Sequence, residues 1–226
     1  MTSELGSALV VASTYGLAVA VAGVPVVVLA FVLASSRPSS VGLGFAGGWA
    51  LGLAAALGVV VAVSDVAVAV SDGDDPPSDT ALAWVRVLAA IALLVLGARS
   101  WRARGFAKQP GWMKGVAGWS PRQAFSTALA LGAVNPKNLA IIASAASSLL
   151  QATTAPALHV PAVLVFAVVG SVGVAGPALY RVAGGEGAGQ VLERGDRWLQ
   201  AQANALSAVV LTVLGIVVLV NGVTAL

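Results

Sequence analysis

Asn135-Pro136-Lys137-Asn138 stands in the middle of an apolar stretch running from about residue 123 to residue 150. The lysine can hold an anionic group or exchange a proton. The two carboxamides can bond a polar ligand or an interrupted backbone, and the proline removes a backbone donor. A cation at this depth in a bilayer is costly, which makes the position a functional-site hypothesis. Lys137 lies about 13 residues from either end of the stretch, roughly 20 Å by helix rise, too far for its stem to span. Two readings follow. In one, Lys137 caps carbonyls freed by Pro136; in the other, it faces a hydrated cavity and an anionic substrate group. Asn135 and Asn138 suit either role.

Asp65 and Arg86 are the other charges inside apolar segments, each about six residues from an acidic connection and on neighbouring spans. They could form an ion pair that pins two helices, or Asp65 could titrate in an antiport cycle. His159, beside Pro161, reads as an outer-loop residue.

The elements that must position these groups are membrane spans. Of the 226 residues, 58% are hydrophobic and 9% charged, against about a quarter charged in soluble domains. Six apolar segments approach or exceed the ~20 residues that a spanning helix needs. They cover residues 8–35, 41–69, 80–98, 124–150, 157–182 and 199–223. The expected fold is an all-α polytopic membrane protein. Glu4 stands where a signal peptide would carry a basic residue, so the first segment is expected to remain as a span. With no cysteine and one histidine, thiol chemistry and a metal site built on either residue type are not expected.

Charge sets the orientation. The first connection holds Arg37. The second holds Asp72, Asp74, Asp75 and Asp79 and no base. The third holds Arg99, Arg102, Arg104, Lys108, Lys114 and Arg122 and no acid. The fourth is uncharged, and the fifth mixes Arg181, Arg194 and Arg197 with Glu186, Glu193 and Asp196. The positive-inside rule places connections one, three and five in the cytoplasm and both termini outside. Trp101, Phe106, Trp112, Met113 and Trp119 interleave with the bases of the third connection. They read as an interfacial aromatic belt, or alternatively as a surface for anionic headgroups.

The two halves share features. Gly23-Val24-Pro25 can be laid over Val134-Asn135-Pro136, and the second spans carry glycine rows, Gly44, Gly48 and Gly52 in one half, Gly170, Gly173 and Gly176 in the other. Three spans per half put the halves in opposite orientation, which is the arrangement of inverted-repeat transporters. The expected organisation is a first three-helix repeat over 1–100, a basic aromatic cytoplasmic loop over 101–123 and a second repeat over 124–226. The glycine rows are packing surfaces within the fold or between protomers of a homodimer.

Asn135-Pro136-Lys137-Asn138, with Leu131-Gly132-Ala133-Val134 before it, resembles the Asn-Pro-Lys motif of the lysine-exporter (LysE) superfamily. The extension to Asn-Pro-Lys-Asn is similar to the peptidoglycolipid-addressing (GAP) branch, also called sulfolipid-1-addressing or SfLAP-like proteins. Pro25, Arg37-Pro38 and the run Gly44-Phe45-Ala46-Gly47-Gly48-Trp49 support the resemblance. It implies a LysE-like fold of two inverted three-helix repeats in the plasma membrane of mycobacteria and relatives. It also implies export of cell-envelope glycolipids or peptidoglycolipids beside RND-type lipid transporters.

The expected mechanism is alternating access around a midplane site. Lys137, Asn135 and Asn138 would contact the substrate there, and Pro25 and Pro136, with Gly23, would open the two helices. The alternatives are a LysE-type exporter of amino acids or other small solutes, and a non-transporting accessory subunit of a lipid export or synthesis complex. An enzyme is not expected, because the spans hold no paired carboxylates and no nucleophile–base set. No P-loop and no cofactor-binding motif are present, and nothing suggests nucleic acid as a partner.

Overall fold

Inside a bilayer, backbone N–H and C=O groups find no water, so apolar runs of this length satisfy themselves by coiling into helices. The computed structural model describes residues 2–21, 38–70, 79–103 and 118–224, with backbone alone for 185–201 and for scattered positions, mostly near helix ends. No strand occurs among the described residues. The helices are α1 (Thr2–Val21), α2 (Pro38–Val70), α3 (Asp79–Arg102), α4 (Pro121–Val134), α5 (Pro136–Ala152) and α6 (Pro156–Val223).

Four described segments are long and apolar enough to cross a membrane: Ser3–Val21, Ser39–Asp65, Pro156–Gly184 and Asn204–Val223. The α4–α5 pair, bent by 55° at its junction, makes a fifth if counted as one span. The chain is thus an all-helical, multi-pass membrane protein. The third expected span, 80–98, is helical within α3. Gly23, Pro25 and Arg37 lie outside the described residues, as do Asp72, Asp74 and Asp75 and most of the basic aromatic loop.

The stretch 124–150 forms two helices, interrupted at Pro136 as its missing N–H implies. One expectation is corrected: the fifth connection is helical rather than a loop, since α6 runs for 68 residues from Pro156 to Val223 with Pro161 and Pro177 inside it. A straight helix of that length would reach roughly 100 Å. Yet Gly16 of α1 packs on Val169 while its neighbour Tyr15 shares a cavity with Leu214 and Val217. The chain therefore reverses between a first limb, Pro156–Gly184, and a last limb, Asn204–Val223.

Glycine sets which helices touch. A Cβ on Gly44 would come 2.6 Å from the Pro121 carbonyl, and Cβ atoms on Gly48 and Gly52 would fall on the carbonyls of Phe125 and Leu129. The Gly44, Gly48 and Gly52 row thus lets α2 lie backbone to backbone along α4, running parallel to it, as small residues do in membrane helices. Gly16 against Phe166 and Ala20 against Gly173 lay α1 parallel to the first limb of α6. Gly97 against Thr212, Leu94 against Gly215 and Arg86 against Gly222 run α3 antiparallel to the last limb. Gly176, read as part of a second row, has nothing within 4 Å of a Cβ, so that row packs through Gly170 and Gly173.

At the centre, Phe45 and Trp49 stack with ring centroids 6.5 Å apart. The Trp49 indole N–H donates to the Gly170 carbonyl at 3.3 Å, tying α2 to α6. Phe166, Leu53 and Ile141 are among the other fully buried core residues.

Candidate functional site

The break in the fourth expected span is built locally. Ser120 caps α4: its side chain accepts from the Gln123 N–H while the Gln123 side chain accepts from the Ser120 N–H, and Pro121 opens the first turn. The helix ends at Asn135, whose extended backbone (φ −64°, ψ 126°) is the conformation favoured before a proline. Asn135 then caps α5, with its side-chain oxygen accepting from the Lys137 N–H at 3.0 Å.

Pro136 has no N–H, so the Gly132 carbonyl four residues back has no helical partner. The Asn138 amide fills that gap. It donates to the carbonyls of Gly132 and Leu131, both at 3.2 Å, and is only 2% exposed. Both asparagines are therefore occupied by backbone. Lys137 does not cap these carbonyls. Its side chain is half-buried, and no described residue accepts a hydrogen bond from its ammonium.

Asp65 and Arg86 do not pair with each other. Asp65 Oδ2 lies 2.9 Å from His159 Nδ1, and His159 Nε2 lies 3.4 Å from the Thr153 carbonyl. His159 is a buried residue in the first turn of α6 rather than a loop residue, and it ties α2 to α6. The reason is antiparallel packing: the end of α2 lies beside the start of α6, a pairing of residues 94 positions apart.

Arg86, 5% exposed, instead reaches α5. Its Nε donates to the Ser147 hydroxyl at 3.0 Å and its Nη2 to the Ser147 carbonyl at 3.3 Å. Next to it the Tyr15 and Ser148 hydroxyls share a hydrogen bond at 3.0 Å. Tyr15, Arg86 and Ser148 line a cavity of about 570 Å³ between α1, α3, α5 and the last limb of α6. Gln151, Asn221 and Thr224 extend its polar wall; Val10, Val11, Leu214 and Val217 form the apolar one. Sequence reading singled out Arg86 but not this cavity. Its other polar members are ordinary span-end residues, and only the helix arrangement gathers them.

A family model described as Sap, sulfolipid-1-addressing protein, matches residues 13–224. The chain belongs to the sulfolipid-1-addressing protein family. No curated protein and no solved structure matches it. The match covers the break at Asn135 and, apart from Val10 and Val11, the residues that line the cavity at Arg86. The chain's described residues hold no cluster of three or more metal-ligating side chains.

Proposed function

We propose that this protein exports a cell-envelope glycolipid or peptidoglycolipid across the plasma membrane, by alternating access around the broken span. The observation that carries the reading is Lys137. It sits in the first turn of α5, deep in an apolar stretch, while both neighbouring asparagines are taken up by backbone. A cation held there without a described partner suits an anionic or polar group that arrives and leaves.

Six spans arranged as two inverted repeats belong to this reading, and the packing supports them. If α1, α2 and α3 correspond to the α4–α5 pair, the first limb and the last limb, then the parallel α2–α4 contact corresponds to the parallel contact of α1 with the first limb. The antiparallel contact of α3 with the last limb corresponds to itself. The described bases near helix ends, Arg99, Arg102, Arg122 and Arg181, share one end of the bundle, which the positive-inside rule puts in the cytoplasm. Energy would come from the proton gradient or from a partner such as an RND-type lipid transporter.

The test is export of labelled glycolipid by wild type, Lys137→Gln and Lys137→Arg, each at matched membrane levels. Loss in Lys137→Gln with retention in Lys137→Arg supports the reading. Full export by Lys137→Gln sinks the midplane site. Saturable amino-acid counterflow in vesicles, with no lipid movement, would instead make the protein a small-solute exporter.

A further inference from the structure

The cavity at Arg86 has a chemistry that the broken span lacks. A guanidinium carries five N–H donors. Ser147 accepts from two of its nitrogens, and no carboxylate pairs with it among the described residues. A cation buried this deeply ordinarily has a charged partner, because burial without one is costly. Arg86 lines the cavity, and the flat fork of a guanidinium matches the oxygens of a phosphate or sulfate ester two at a time.

The other walls define the rest of the ligand. Tyr15 and Ser148 add hydroxyls beside the cation, and Gln151 and Asn221 add amides suited to sugar or glycerol hydroxyls. At about 570 Å³ the space falls within the ~300–1,000 Å³ typical of small-molecule sites. One side is apolar. Val10, 66% exposed, and Val217, 48% exposed, form a rim on the outer face of the bundle, where acyl chains of a bilayer would lie. A polar pocket with an apolar side wall fits an amphiphile better than a free ion.

We propose that this cavity is a second binding site, which takes the anionic headgroup of an amphiphile and lets its chain leave sideways between α1 and the last limb of α6. Its place in a transport cycle rests on the exporter reading. It lies at the end of the bundle away from Arg99, Arg102, Arg122 and Arg181, so it would receive the headgroup after Lys137. Ser147 is ten residues beyond Lys137 on the same helix, roughly 15 Å along it.

The test is equilibrium binding by purified protein in neutral maltoside micelles, which needs no transport. The probes are dioctanoyl phosphatidylglycerol, dioctanoyl phosphatidylcholine and inorganic phosphate. The anionic lipid should bind at least tenfold tighter than the zwitterionic one, and phosphate alone should bind far more weakly than either. Arg86→Gln should erase the preference and Arg86→Lys should keep part of it. Because Arg86 also braces α5, Val217→Trp provides a second route. It fills the cavity while leaving the Arg86–Ser147 bonds in place, and should weaken binding at least tenfold. Val168→Trp, on an exposed face of the first limb, should not. Equal binding of both lipids, or undiminished binding in Val217→Trp, would overturn the proposal; phosphate binding as tight as the lipid would make the site one for a free anion. Loss of export in cells with this binding intact would count against the transport model and not against the site.

Discussion

The side-chain amide of Asn138 donates to the carbonyl of Gly132, the carbonyl that Pro136 leaves without a helical donor. A carboxamide thus repairs the break that the proline makes. The repair assigns the asparagine a structural role and leaves the adjacent lysine uncommitted. Asn138→Ala should therefore lose stability before it loses anything else, by about 1–3 kcal/mol, the cost of leaving a buried polar group unsatisfied. Thermal unfolding in detergent measures this, and an unchanged Tm would remove the capping role.

Lys137 should behave in the opposite way. Its ammonium has no described partner, so the folded state gains little from the charge. Lys137→Gln should be at least as stable as wild type while losing export. A clear fall in Tm for this variant would mean that the lysine braces the fold.

Asp65 and His159 hold the end of α2 to the start of α6. Asp65→Asn and His159→Ala should each lower Tm. The double variant should fall short of the sum, with a coupling of about 0.5–3 kcal/mol for groups in contact. Simple additivity would show that the 2.9 Å pair contributes nothing net.

Gly48 allows α2 to touch the backbone of α4. A methyl group there would meet the Phe125 carbonyl, which cannot move aside as a side chain could. Gly48→Ala should destabilise by about 1–3 kcal/mol or prevent assembly. Gly176→Ala, with open space around it, should be silent. Yield of monodisperse protein and Tm together read the difference.

With no native cysteine, single cysteines report topology without background. Ser3→Cys should react with an impermeant maleimide in intact cells, and Ser120→Cys only after permeabilisation. The reverse pattern would invert the charge-based orientation.

The membrane character, the helical extent of most segments and the break beside Pro136 were legible in the residues. Each depends on local chemistry: apolar length, a missing N–H, the backbone bias before proline. Partner choice was not legible. Asp65 and Arg86 looked like a pair because both are charged and close to the same connection. The folded chain gives the aspartate to His159, 94 positions away, and the arginine to Ser147, 61 positions away. Likewise the glycines of both second spans looked alike, yet Gly173 meets α1 and Gly176 meets nothing.

By itself, then, the amino-acid order determined a multi-pass helical protein with a cation deep in a broken span. Lipid and the peptide bond constrain every residue in the same local way, so these features needed no neighbours. Only the tertiary structure decided that Asn138, not Lys137, repairs the break, and that Tyr15, Arg86, Ser148 and Asn221 surround one cavity. Ala-, Val- and Gly-rich helix surfaces are nearly interchangeable in sequence. Which of them meet is settled by how closely their backbones can approach, and that exists only once all the helices are in place.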